Sequence, residues 1–214
     1  ARRCRVLKDL FQGVDRAEVE FSTGHRCLFD LRFRVCEADD GYLHRDKSDD
    51  VPVINLPSGE TFQVPYEGEK PGVPSRTAGE LPVGAGGGTI VFRVEANRIV
   101  EVVGDGEAAA RYRAFFREDP VRGNIAELAF GCNDRAVVTG NVLEDEKAGF
   151  HWAFGRSDHL GGVTGVADFR SPANVVHQDI VYARGNPITI RRADLIGGDG
   201  KRTTVIRDAA YVLW

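Results

Sequence analysis

His177, Gln178 and Asp179 stand together in an apolar run from Val175 to Tyr182. In an extended strand, positions i and i+2 project to the same side, so one imidazole and one carboxylate converge on a point. That pair suits a divalent transition metal, whose normal ligands include His nitrogen and Asp oxygen at roughly 2.0–2.2 Å. The triplet also reads as a surface His beside a surface Asp. His151 follows Gly149-Phe150 and opens Trp152-Ala153-Phe154, an apolar setting in which an imidazole needs either a backbone partner or a ligand role. Glu127 interrupts Asn124-Ile125-Ala126 and Leu128-Ala129-Phe130. A carboxylate there is costly unless it is paired, bound to a cation, or turned to solvent on the strand face it shares with Ile125 and Ala129. Glu60, after the tight turn Pro57-Ser58-Gly59, reads by itself as a solvated loop glutamate.

Other constellations carry less. Glu144-Asp145-Glu146-Lys147 is a charge run whose default meaning is a solvated helix face. Gly84-Ala85-Gly86-Gly87-Gly88 precedes a strand, with no helix start and no Lys-Ser or Lys-Thr after it, so nucleotide phosphate binding is discounted. There is no G-x-S-x-G elbow and no local signature of a thiol nucleophile, which leaves a serine or cysteine hydrolase without support.

The elements that must position these residues follow from periodicity. Val6, Leu7, Leu10 and Phe11 lie at helical spacing before Gly13, so Arg2 to Phe11 is predicted as a first helix. Ala17 to Phe21 alternates, Gly24 turns, and Cys27 to Phe33 returns as a second strand. A polar loop spans Asp39-Asp40-Gly41 to Lys47-Ser48-Asp49-Asp50, and Val51-Pro52-Val53-Ile54 leads from it into the Pro57 turn. Gly68 to Gly88 reads as a long surface connection. Thr89 to Val94, a turn at Ala96-Asn97, and Ile99 to Val103 form the clearest hairpin, and Asp105 is placed to cap a helix reaching about Phe116. After Pro120 short strands return, with one helical piece near Glu144 to Ala148. Strand and helix do not alternate regularly, which argues against a doubly wound sheet or an α/β barrel. The expected fold is α+β, with a β-rich mixed or antiparallel sheet and few helices.

Composition sets the class. The chain has 214 residues, 42% hydrophobic and 28% charged, enough for one sizeable core, so residues 1–214 are read as a single domain. With 28 Lys and Arg against 32 Asp and Glu, the net charge is -4, which provides no bulk attraction to nucleic acid or anionic lipid. No run approaches the roughly 20 apolar residues of a membrane span, and a cytoplasmic location is expected. Cys4, Cys27, Cys36 and Cys132 show no C-x-x-C pair and are expected as reduced, mostly buried thiols. Methionine is absent.

Five ordered blocks carry a resemblance. They are Asn55-Leu56-Pro57-Ser58-Gly59-Glu60 with Pro65-Tyr66-Glu67-Gly68, Ile125 to Asn133, Glu144-Asp145-Glu146-Lys147, His151-Trp152-Ala153-Phe154-Gly155, and His177-Gln178-Asp179. Together they resemble the thermophilic metalloaminopeptidase family typified by aminopeptidase T and aminopeptidase S, over what corresponds to the catalytic half. The resemblance implies two co-catalytic divalent ions of the zinc, cobalt or manganese class, with ligands on Glu60, Glu127, His151, His177 and Asp179. It also implies a shared activated water and release of amino-terminal residues from a peptide substrate. Glu67 or Glu146 would move the proton to the leaving amine. Family members look dimeric, which leaves a homodimer open. Two departures stand out. Asp158, with His159 beside it, occupies the place of a family tyrosine ligand and would serve as a metal carboxylate, and Gly149-Phe150-His151 is one residue shorter than the family's Gly-Thr-x-His. Two other functions remain open. His151, His177 and Asp179 alone make the 2-His-1-carboxylate set of a mononuclear iron ring-cleaving dioxygenase, and a non-catalytic domain could retain the scaffold.

Overall fold

The computed structural model describes residues 1–42 and 55–214. In chain order its elements are α1 (Arg2–Phe11), β1 (Val14–Phe21), β2 (Arg26–Asp30), β3 (Glu37–Asp39), β4 (Glu60–Gln63), β5 (Ala78–Ala85), β6 (Gly88–Glu95), β7 (Arg98–Val103), α2 (Gly106–Glu118), β8 (Ile125–Gly131), α3 (Val142–Asp145), β9 (Gly149–Gly155), β10 (His177–Ala183), β11 (Ile190–Gly197), β12 (Arg202–Arg207) and β13 (Ala210–Tyr211), joined in places by single 3-10 turns. They build two antiparallel sheets, an eight-stranded one in the order β13-β12-β11-β1-β2-β5-β6-β7 and a five-stranded one in the order β10-β9-β8-β4-β3. The fold is α+β and sheet-rich, as the periodicity predicts.

Alternation explains how the sheets meet. One face of the five-stranded sheet carries Leu128, Phe130, Phe150, Trp152, Phe154 and Tyr182, all buried. It packs on Phe21, Phe29 and Phe92 of the larger sheet, with ring centroids of Phe21 and Tyr182 4.9 Å apart, Phe29 and Phe150 6.4 Å, and Phe92 and Trp152 6.2 Å. Aromatic rings prefer such tilted and edge-on contacts. The polar atoms this layer traps are satisfied: Trp152 Nε1–H donates to Tyr182 Oη at 2.9 Å, and Tyr182 donates to the Pro82 carbonyl at 2.8 Å. Phe11 of α1 packs on Phe130, and Phe116 of α2 on Phe154, closing two flanks.

The opposite face of the same strands is different. Register pairs Glu60 with Gly131, His151 with Ala129, Glu127 with Ala153, Asp179 with Ala153 and His177 with Gly155. Every acid or imidazole therefore stands beside a residue with little or no side chain. That leaves room above the sheet for polar groups to meet, which larger neighbours would fill.

Several sequence expectations shift. Gly68 to Gly88 is not all connection, because Ala78–Ala85 is β5, whose inner residues Leu81 and Val83 are buried. Its pattern was masked by Gly79, Pro82 and Gly84. The second strand of the first hairpin ends at Asp30 and not at Phe33. The late helical piece is α3, two to three residues upstream of its predicted place. Asp105 occupies the position before α2 but makes no side-chain cap hydrogen bond. The run Val51-Pro52-Val53-Ile54 and the loop from Lys47 to Asp50 lie outside the described residues. All four cysteines are free and buried. Among the described residues no helix is long and apolar enough to cross a membrane.

Candidate metal centre

Four strands bring the chemistry-bearing side chains together. Glu60 comes from β4, Glu127 from β8, His151 from β9, and His177 with Asp179 from β10. A register irregularity between Ile125 and Glu127 sits beside the acid, the kind of local offset that re-aims a side chain. His177 Nε2 lies 3.1 Å from Glu127 Oε2 and 3.4 Å from Asp179 Oδ1. His151 Nε2 lies 3.7 Å from Glu127 Oε1 and 3.5 Å from Glu60 Oε2. The side chains thus form two groups able to hold a cation, Glu60-Glu127-His151 and Glu127-His177-Asp179. Glu127 belongs to both, one oxygen turned to each imidazole.

The donor set fits cations. Among the described residues, Glu60 Oε2, His151 Nε2 and Asp179 Oδ1 are buried with no hydrogen-bond partner. Leaving one buried polar atom unsatisfied costs about 1–3 kcal/mol, so several such atoms converging on one space mark a place where something positive belongs. Both imidazoles are turned for it. His177 Nδ1–H donates to the Arg156 carbonyl at 2.7 Å and His151 Nδ1–H to the Gly149 carbonyl at 3.3 Å. A carbonyl only accepts, so Nδ1 carries the proton and Nε2 faces the acids.

Titration points the same way. Burial opposes charge on His151, but Glu127 close to its Nε2 and the charges of Glu60 and Asp179 hold its pKa up at about 9. His177 is likewise opposed by burial and raised to about 10 by Asp179 and Glu127. Burial alone would lift Glu127, yet the two imidazoles facing its oxygens hold it down at about 2. Glu60 is pushed up by burial to about 7, against the pull of His151 and Lys147. The acids demand positive charge, and protons on the imidazoles supply it when nothing else does.

Lys147 is the residue that the sequence reading placed elsewhere. Its side chain is 0% exposed. The ammonium donates to Glu60 Oε1 at 2.6 Å and to Glu146, and lies 3.5 Å from Asp39 Oδ2. The run Glu144 to Lys147 is therefore not one solvated helix face: α3 ends at Asp145, and the next two residues turn inward. Glu146 stands one ion pair away from the cage, with Lys147 between it and Glu60. Only the position of Asp39 opposite Glu60 in the β3–β4 register accounts for its presence, and no sequence signal marks it.

Two expectations are corrected. Asp158 joins neither group; its carboxylate turns to Arg156 Nε at 2.5 Å and is 37% exposed. The reason is the 3-10 turn Asp158–Leu160, which instead brings His159 edge-on to His177, ring centroids 4.9 Å apart. Glu67 is not free to shuttle protons. It accepts from Thr164 Oγ1 at 2.6 Å, Val163 N at 2.7 Å, Ser157 Oγ at 2.8 Å and Asn124 Nδ2 at 2.9 Å, and pairs with Arg34 at 3.1 Å. Those bonds tie the segment after β9 to the start of β8, and so set where Arg156 presents its carbonyl to His177.

No protein-family profile and no curated protein matches the sequence. Among solved structures, AmpT from Thermus thermophilus is similar with a TM-score of 0.67 at 20% identity, over 99% of this chain and 53% of that one. A 2,5-dihydroxypyridine dioxygenase from Pseudomonas putida KT2440 is similar with a TM-score of 0.68 at 19% identity, over 100% of this chain and 59% of that one. The chain spans little more than half the length of either. The likeness to AmpT is the one the motifs pointed to, and it is a likeness of fold; the dioxygenase shares that fold equally well.

Proposed function

We propose that this chain carries the metal centre of a metal-dependent aminopeptidase, with two divalent cations held by Glu60, Glu127, His151, His177 and Asp179. The observation that carries the reading is Glu127, whose two oxygens face different imidazoles in two separate groups. A shared carboxylate between two ligand sets is the arrangement a pair of cations needs. A single 2-His-1-carboxylate site would gather His151, His177 and Asp179 around one point, whereas these three divide between the two groups. Among enzymes with that requirement, the fold likeness to AmpT supports peptide amino termini as the substrate class.

Bound there, divalent cations supply Lewis acidity and lower the pKa of a coordinated water toward neutrality. The chain's residues prepare the place. Arg156 and Gly149 carbonyls hold the imidazole tautomers, Lys147 occupies Glu60 Oε1 and leaves Oε2 for the cage, and the aromatic layer beneath keeps the strands in register. Glu146, at the edge of the acid cluster, is the remaining candidate to take up a proton.

Protein purified without added metal and reloaded with zinc, cobalt or manganese is expected to bind two equivalents and to release the first residue from short unblocked peptides. Glu127→Gln is expected to reduce both binding steps and to lower turnover at least about 100-fold, the upper range for disturbing a ligand environment. Binding of one ferrous ion, with oxygen uptake on a dihydroxylated pyridine and no peptide turnover, would overturn the proposal in favour of the ring-cleaving alternative.

A further inference from the structure

The edges of the two sheets are treated unequally. On β7, Arg113 of α2 covers the outward carbonyls, Nε–H donating to Val102 at 3.0 Å and the guanidinium also reaching Gly104. β3 is three residues long and lies against α1, whose Cys4 Sγ–H donates to the Asp39 carbonyl at 3.7 Å. β13 is two residues long. Such covering and shortening keeps exposed edges from pairing with other chains. Among the described residues, β10 has neither protection over most of its length.

Its hydrogen-bond phase is readable. Arg156 N–H donates to the Val176 carbonyl at 2.7 Å, and the register runs His177 opposite Gly155 through Ala183 opposite Gly149. In an antiparallel ladder, bonded and non-bonded pairs alternate. Gln178, Ile180 and Tyr182 therefore spend their backbone groups on β9, while His177, Asp179 and Val181 direct theirs to the open edge. Among the described residues, Asn186 Nδ2 takes the Val181 carbonyl at 3.1 Å, and no partner takes the other outward groups of these three residues. Beside this edge runs a groove of about 590 Å³, walled by the glycine-rich tip of the β5–β6 hairpin on one side and by Asn186 to Ile188 on the other.

We infer that the free edge of β10 is a subsite that reads the backbone of an extended peptide, binding it as an added strand along His177 to Val181. From His177 to Val181 this edge spans about 13 Å at roughly 3.3 Å per residue. This deepens the aminopeptidase reading and rests on it for the identity of the ligand. Its physical point is that His177 and Asp179 act in two directions. Their side chains project to the cation cage while their N–H and C=O groups lie in the plane of the sheet, so a peptide paired with those backbones is delivered beside the cage at a set register. Main-chain pairing provides affinity without demanding particular side chains. A small aromatic substrate would make no use of it.

The test is binding, separate from turnover. A hexapeptide with a free amino terminus and a reduced, uncleavable first amide is titrated into the metal-loaded chain and compared with the matching dipeptide. The hexapeptide is expected to bind about tenfold or more tighter, the worth of one to two net hydrogen bonds. It is also expected to slow hydrogen exchange at the amides of His177, Asp179 and Val181. N-methylation of alternate peptide nitrogens, Val181→Pro and Gly84→Phe should each remove the gain. Val181→Pro deletes an outward N–H that β9 does not use, a position where an edge strand tolerates proline. Gly84 has ordinary backbone angles and open space at its Cβ, so Phe there fills the groove without backbone strain. Equal affinity for the two ligands, or a gain that survives both substitutions, would overturn the inference. If the edge amides are protected but unblocked peptides are never cleaved, the hydrolase reading fails and the edge site stands.

Discussion

The two faces of the five-stranded sheet are made by the same strands and obey opposite rules. Facing the larger sheet, Phe130, Phe150, Trp152, Phe154 and Tyr182 fill space and leave no polar atom wanting. On the other face of the same strands stand Glu127, His151 and Asp179, and among the described residues His151 Nε2 and Asp179 Oδ1 are buried without a hydrogen-bond partner. The first face stabilises the fold and the second draws on that stability. Fully burying one large apolar side chain contributes about 1.5–3 kcal/mol, comparable to what an unsatisfied buried polar atom costs. The aromatic layer is therefore what allows the opposite face to hold several acids close together.

Substitutions on the two faces should lower stability by similar amounts yet respond differently to metal. Trp152→Ala removes a fully buried ring and leaves Tyr182 without its donor; it is expected to cost about 3–5 kcal/mol, read as a fall in melting temperature that zinc or manganese does not restore. Lys147→Met is expected to cost the metal-free chain a comparable few kcal/mol, because removing one member of a buried ion pair leaves the other charge uncompensated, typically about 3–5 kcal/mol. Here added divalent cation should recover most of the loss, since it replaces the positive charge that Glu60 and Asp39 have lost. Equal recovery of both variants by metal would erase the distinction between the faces.

The pH dependence sharpens the comparison with a smaller effect. His151 and His177 have folded pKa values of about 9 and 10, above the ordinary 6.5. The stability they contribute is fully present below pH 6.5 and is lost as pH rises through 9 to 10. Glu60, raised from 4.5 to about 7, adds a loss between those two values. Glu127, lowered from 4.5 to about 2, contributes above pH 4.5 and loses that contribution as pH falls toward 2. Melts of the metal-free chain should therefore weaken from pH 6.5 to 10, and stabilisation by added cation should grow over the same range. A flat profile would mean that the imidazoles are not serving as the cage's counter-charge.

Much of this architecture is legible in the residues. The first helix, the first hairpin's opening strand and the Thr89 to Val103 hairpin follow from spacing alone, because apolar periodicity encodes which side of an element meets the core. Glu127, His151, His177 and Asp179 stand out by their types, carboxylates and imidazoles set in apolar strands where each needs a reason, whereas Glu60 reads by itself as a solvated loop residue and joins them only through the family resemblance. β5 escaped notice because Gly79, Pro82 and Gly84 dilute its alternation. Lys147 escaped because a lysine after three acids looks the same whether it faces water or is enclosed.

Sequence alone determined the alternation that separates an aromatic face from an acidic one, and the identities of the residues able to bind cations. Tertiary structure decided which of them meet. It placed one oxygen of Glu127 against each imidazole, turned Asp158 outward to Arg156, engaged Glu67 with the loop that carries Arg156, and buried Lys147 against Glu60. Alternation is a local property of two neighbouring peptide units, whereas the meeting of β4, β8, β9 and β10 depends on pairings between residues dozens of positions apart, for which no short stretch of chain holds the information.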